Sequence, residues 1–344
     1  MDVHNTLFDG EPGWLAHTLA RAGESLTPVT GTLADGTDIR RHDIGLLELT
    51  PPAGRNNPGA EALIVSAGIH GNETAPIEVL NALVQELLDG RWMLACPLLL
   101  ILGNPPAMVA GERFLQVNLN RLFAGAHRQA AYQGNGEAER AARLEQYCEA
   151  FAHRHAGLAL SHYDLHTAIR PSHREKFALY PHVPGRQLPS DQAGFLLEAE
   201  VPTLLLQHKA GTTFASHTSS NLGAQSFTVE LGKVMPFGQN DLNRFAGIER
   251  ALRRRFRGEP SPAPSGAGLT VFEVVHEVLN TGDGFEFHVP DDAPNFSEYA
   301  PGTVIWEDGQ QQYRVGSVPE SVVFPNRAVP VGQRVALMVR PRPD

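Results

Sequence analysis

A chain of 344 residues with 42% hydrophobic and 19% charged side chains carries enough apolar material for a large packed core and a smaller module, which excludes a disordered protein. Its formal net charge of −10 opposes phosphate backbones, so nucleic acid is not an expected partner. The same charge means that an anionic substrate has to be met by locally gathered arginines.

In chain order, ALIVSAG at 62–68 reads as a buried strand. A helix follows, with Leu80, Leu83, Val84, Leu87 and Leu88 at helical spacing, Pro76 in its first turn and Gly90 beyond its end. LLLILGN at 98–104 is a second strand, and 136–156 has a helical pattern. Further strands are predicted at 159–166, 203–207 and 226–231. A last helix spans about Asp241 to Phe256, with Leu242, Phe245, Ile248, Leu252 and Phe256 on one face. The basic run Arg253–Arg255 with Arg257 ends that helix, where it complements the dipole and faces water. The polar stretch TTFASHTSS at 212–220 reads as a loop. Alternation of strands and helices argues for an α/β domain with a largely parallel sheet over residues 1–258. GEPSPAPSGAG then reads as a linker, placed at 259–268. Segments such as FEFHV and TVIW predict a small β-rich domain over 269–344.

Other signals concern the compartment. The N-terminal MDVHNTLFDG has neither the basic start nor the apolar run of a signal peptide, and the longest apolar run, Leu94 to Leu102, is too short to span a bilayer and contains Pro97. Cys96 and Cys148 form no CxxC and read as buried thiols of a reducing compartment. A cytoplasmic protein without a membrane partner is expected, and a homo-oligomer is left open.

Four polar clusters fall just past predicted strand ends, where open α/β sheets build their sites. GIHGNETAP places His70 and Glu73 in a turn that Gly71 allows to bend sharply. Imidazole and carboxylate suit zinc, yet H-x-x-E alone is weak, since roughly one such pair is expected by chance with 15 histidines. SHYDLHTA brings a strand to its end at His166, with Asp164 two residues back on the same face to orient a ligand. Beyond the strand at 98–104 come Arg113, Asn118, Asn120 and Arg121. TVELG sets Glu230 at the end of an apolar strand. His162, alternating with Asp164 and His166, reads as structural, and Arg170 and Lys233 lie beside the site motifs.

GIHGNETAP, ILGNPPA, the R-x7-R spacing ending in NLNRLF, DLHTAIR and ELGK followed by PFGQNDL resemble the aspartoacylase and succinylglutamate desuccinylase family of the zinc carboxypeptidase-like superfamily. NFSEYAPGT and FPN extend the resemblance into the C-terminal part. It implies one zinc ion per subunit held by His70, Glu73 and His166, with Glu230 as general base. Arg113 would polarise the scissile carbonyl, and Asn120 and Arg121 would grip a substrate carboxylate, with Arg170 as a further candidate. The implied substrate is N-succinylglutamate, cleaved to succinate and glutamate at the end of a bacterial arginine-degradation route. The rival readings are an amidohydrolase for another acyl amino acid, a carboxypeptidase, and a non-catalytic protein with structural metal. The last would call for a closed site of four protein ligands, whereas three ligands and a separate glutamate suit an open one.

Overall fold

A computed structural model describes residues 3–55, 61–262 and 268–342. Sixteen strands occur among these residues: β1 Val29–Thr32, β2 Asp38–Asp43, β3 Leu46–Thr50, β4 Glu61–Ala67, β5 Leu98–Leu102, β6 Ala159–Ala168, β7 Phe177–Tyr180, β8 Thr203–Leu206, β9 Gln225–Lys233, β10 Thr270–Leu279, β11 Phe285–Phe287, β12 Ser297–Tyr299, β13 Val304–Asp308, β14 Gln311–Arg314, β15 Glu320–Val323 and β16 Arg334–Pro341. The helices are α1 Val3–Phe8, α2 Trp14–Ala20, α3 Thr74–Leu88, α4 Pro105–Ala110, α5 Gly136–Arg154, α6 Ser190–Glu198, α7 Phe214–Asn221 and α8 Ala246–Phe256.

Thirteen strands form one sheet in the order β1-β2-β3-β5-β4-β6-β9-β7-β8-β10-β16-β15-β12. Its centre, β5-β4-β6-β9, is parallel. Because both faces of these strands are covered, β4 and β5 read as nearly continuous apolar runs, whereas β6 and β9 intersperse polar residues that are buried as well. Leu63 and Val65 of β4 join the core that includes α3, α6 and α8, while Ala62 and Ile64 join the one that includes α5 and Phe214 of α7. Leu80, Leu83, Val84 and Leu87 bury one stripe of α3, each worth roughly 1.5–3 kcal/mol. Gly90, at φ +70, lies just past the helix end.

The C-terminal β-rich part does not start a separate sheet. β10 pairs in parallel with β8 and antiparallel with β16, which leads to β15 and β12. Only β11, β13 and β14 form a second small sheet among the described residues, closed over Ile305, Val322 and Met338. Residues 263–267 of the expected linker lie outside the described residues.

Three local expectations change. The stretch read as a loop at 212–220 contains α7, started by Thr213, whose hydroxyl accepts from Ser216 N. Its Ser216, His217, Thr218 and Ser219 are buried rather than solvated, so polarity misled. The last helix begins as a 3-10 turn, Leu242–Phe245, and Leu242 is exposed instead of lying on the apolar face. The basic run is ion-paired, with Arg255 buried against Glu61 and Asp191 rather than facing water. Among the described residues, no helix is long and apolar enough to cross a membrane.

Candidate metal centre

His70 follows β4, Glu73 precedes α3, and His166 lies near the end of β6. All three side chains are buried, and one ligand atom from each lies within 4.8 Å of the others. Glu73 is the N-cap residue of α3, yet its side chain makes no capping bond. It points to the histidines instead: Oε1 is 2.8 Å from His70 Nδ1, and Oε2 is 2.8 Å from His166 Nδ1. The outer nitrogens have their own partners. His166 Nε2 lies 2.9 Å from Asp164 Oδ2, and His70 Nε2 lies 3.0 Å from Asn118 Oδ1. An acceptor on Nε2 keeps the proton there and leaves Nδ1 free to ligate a metal.

The turn that brings these residues together depends on two glycines. Gly68, at φ +66, makes the left-handed bend, and an added Cβ would lie 2.1 Å from Met108 Cε. Gly71, expected to supply the bend, is required for a different reason. Its Cβ would lie 2.2 Å from the carbonyl carbon of Ala107, so α4 could not approach. Gly71 N also donates to Arg113 O at 3.2 Å, which fixes the loop that carries Arg113.

Glu230 stands beside His166 in the parallel register of β6 and β9. Its Oε2 is buried with no hydrogen-bond partner. Burial, with Glu73 and Asp164 adding to it and His166 and Arg113 opposing, raises its pKa to about 7. Glu73 goes the other way: burial opposes ionisation, but His70 and His166 hold its carboxyl well below the ordinary value. The donor set fits a divalent cation. Two buried carboxylates, Glu73 and Asp164, flank two imidazoles, and Glu230 beside His166 brings a buried oxygen that lacks any partner.

The arginines differ in their engagements. Arg113 donates to Glu73 Oε1 at 2.7 Å and remains part-exposed at the edge of the cluster. Asn120 is buried, its Oδ1 accepting from Phe214 N at 2.9 Å and its Nδ2 lying 3.5 Å from His166 Nε2. Arg121 is exposed; partial desolvation of its guanidinium, together with the charges of Arg334 and Arg113, lowers its pKa to about 10. Arg170, just past the end of β6, donates to the carbonyls of Asp291 and, at 3.4 Å, Ala293, which ties this segment to the C-terminal part. Lys233 ends β9 and is exposed.

Sequence reasoning missed the support beneath this cluster. Ser66, in register with Asp164, donates to Asp164 Oδ1 at 2.6 Å and also lies 2.9 Å from His162 Nε2. His162 Nδ1 in turn lies 2.8 Å from Thr218 Oγ1 of α7. Burial lowers the pKa of His162 to about 4, so this ring is neutral and serves the network. The available signal was the lone serine in the apolar run ALIVSAG.

Residues 59–256 match the succinylglutamate desuccinylase/aspartoacylase catalytic domain, and residues 267–342 match the AstE/AspA barrel-sandwich hybrid domain. The chain is 44% identical over 296 residues to a succinylglutamate desuccinylase of Serratia proteamaculans, covering 86% of this chain and 88% of that one. It is 39% identical to one from Shewanella frigidimarina over 96% of each chain. The crystal structure of the enzyme so named from Vibrio parahaemolyticus superposes with a TM-score of 0.86 at 30% identity, covering 96% of this chain and 95% of that one. With both halves matched and the strand-end cluster in place, the chain belongs to the succinylglutamate desuccinylase/aspartoacylase family.

Proposed function

We propose that this chain hydrolyses the amide bond of N-succinylglutamate, releasing succinate and glutamate, with one zinc ion held by His70, Glu73 and His166. The observation that carries the reading is a three-ligand buried cluster beside Glu230, a carboxylate with an unpartnered oxygen. A structural zinc would be enclosed by four protein ligands, whereas this set leaves room for water and substrate. Zinc bound there would act as a Lewis acid that lowers the pKa of water and polarises the scissile carbonyl.

The chain's own residues supply the rest. Glu230 takes the proton of the attacking water and later passes it to the leaving amine, a task suited to a carboxylate whose pKa lies near neutrality. Arg113 turns its guanidinium to the oxyanion that develops on the carbonyl. Asn120 and Arg121 hold a carboxylate, for which the planar fork of arginine gives bidentate geometry. Asp164 and Asn118 hold the outer nitrogens of the ligating imidazoles. Arg170 is left out of the substrate set because its guanidinium serves backbone carbonyls of the C-terminal part. We assign residues 1–258 to the catalytic portion, 259–268 to a linker and 269–344 to the β-rich portion; the two family matches, ending at 256 and resuming at 267, support this division.

The test is a panel of acyl amino acids offered to protein of measured zinc content. N-succinylglutamate is expected to turn over much faster than N-acetylglutamate, because the acetyl compound lacks the distal carboxylate whose binding helps hold the amide in place. Equal or better turnover of acetylglutamate or acetylaspartate would assign the chain to the aspartoacylase-like branch of the same chemistry. Full activity in metal-free protein would remove the zinc mechanism.

A further inference from the structure

Arg334 opens β16 and faces Leu279, the last residue of β10, across the antiparallel pair. It is partly buried, and among the described residues its guanidinium has neither a hydrogen bond nor an ion pair. Glu277 is the acidic neighbour whose charge it feels, but that carboxylate is bound by Lys209 Nζ at 2.5 Å.

The segment carrying Lys209 runs on to the metal centre. Phe123 N donates to Thr212 O at 3.1 Å, and Phe214 N donates to Asn120 Oδ1 at 2.9 Å. One short stretch of chain thus connects the β10–β16 edge to Asn120 and Arg121. Arg121 donates to Asn120 O at 2.8 Å and, among the described residues, pairs with no carboxylate. The charges of Arg334 and Arg113 both reach Arg121. Two neighbouring guanidiniums without counterions, one exposed and one partly buried, repel one another, and that arrangement becomes favourable when an anion with more than one carboxylate lies between them.

We propose that Arg334 binds the side-chain carboxylate of the substrate's glutamate half, while Asn120 and Arg121 hold its α-carboxylate. The proposal rests on the desuccinylase reading and makes the C-terminal β-rich part a contributor to specificity. Adjacent cations suit two carboxylates separated by a short carbon chain, as glutamate has. The succinyl end, on the other side of the amide, then extends away from this pair.

The test compares zinc-loaded wild type, Arg334→Gln and Arg334→Lys on N-succinylglutamate and N-succinylglutamine, in which an uncharged amide replaces the side-chain carboxylate. Arg334→Gln is expected to raise KM for succinylglutamate roughly 10- to 100-fold, the scale of a lost charge-assisted hydrogen bond, and to change succinylglutamine by less than about two-fold. Arg334→Lys should restore part of the loss, which a purely structural role would not predict. Equal losses on both substrates, or no loss on either, would overturn the proposal. Calorimetric titration with L-glutamate gives a second reading that does not depend on acyl preference. Binding to Arg334→Gln should be at least about ten-fold weaker than to wild type, and unchanged binding counts against the assignment. A wild type that ignores succinylglutamate but binds glutamate through Arg334 would place the failure in the desuccinylase reading instead.

Discussion

Glu48 and Glu230 are both carboxylates in strands of one sheet, and their surroundings give them opposite chemistry. Glu48, on β3, bonds to His42 Nε2 at 2.5 Å and to Arg154 through both oxygens, with His155 at 3.6 Å. Burial works against its charge, but these partners hold its pKa far below the ordinary carboxylate value. Glu230 has buried Oε2 without a partner and is pushed up to about 7. The same residue type stays ionised where its hydrogen bonds are saturated and holds a proton to near-neutral pH where they are withheld, which suits Glu230 to the proton-accepting role proposed for it. Buried charge alone therefore does not mark a functional site; unsatisfied buried charge beside a ligand cluster does.

The largest effect that bears on this contrast comes from removing the cluster itself. His70→Ala and His166→Ala should each abolish zinc retention and turnover while leaving the fold intact. Metal analysis beside circular dichroism checks this, and a folded variant with full zinc and full activity would break it. Next, Glu230→Gln should lower kcat by roughly two to four orders of magnitude with zinc retained. If zinc is lost instead, Glu230 is a ligand rather than the base. In the wild type, turnover should rise with pH as Glu230 ionises. The acid limb belongs at or below about 7, because a bound dication adds positive charge beside the carboxylate.

Stability should separate the two carboxylates with opposite signs. Glu48 has a depressed folded pKa, so its contribution is present above 4.5, the value of an unperturbed glutamate, and is lost as pH falls through the folded value. Glu48→Gln should therefore cost about 1–3 kcal/mol at neutral pH, with the difference from wild type narrowing in acid. Glu230 has a raised folded pKa, so its ionisation weakens the metal-free fold as pH climbs above 4.5. Glu230→Gln should stabilise metal-free protein on the order of 2 kcal/mol at alkaline pH. Urea unfolding of both variants across pH reads the two signs together, and like signs would collapse the distinction. The smallest effect is expected from Arg170→Ala. It should lose about 1 kcal/mol of stability and leave KM within about two-fold, since its bonds are to Asp291 and Ala293 carbonyls. A large rise in KM would return Arg170 to the substrate.

Much of the sheet's centre was legible because β4 and β5, covered on both faces, carry runs such as LLLIL, and β6 and β9 keep Leu, Val, Phe and Tyr between their polar residues. The N-terminal strands β1–β3 were not read from the sequence. Their charged residues, Arg40, Arg41, His42, Asp43 and Glu48, resemble a solvated segment, yet Arg41, His42, Asp43 and Glu48 are buried and ion-paired. At the site, His70 with Glu73 and Asp164 with His166 could be seen because each pair is local in sequence. The bonds from Ser66 to Asp164 and from Thr218 to His162 could not, since strand register and helix packing create them across 98 and 56 positions. The polar character of α7 hid a helix for the same reason: its hydroxyls are satisfied by tertiary partners.

The parallel pairing of β8 with β10 bears on how the protein can be divided in the laboratory. Cutting at residue 258 would strip β10 away and leave Thr203–Leu206, sequence TLLL, as a bare strand edge. An apolar open edge recruits strands from other chains. The shortened protein should therefore precipitate or self-associate even with every proposed zinc ligand present, so its insolubility would say nothing about the chemistry.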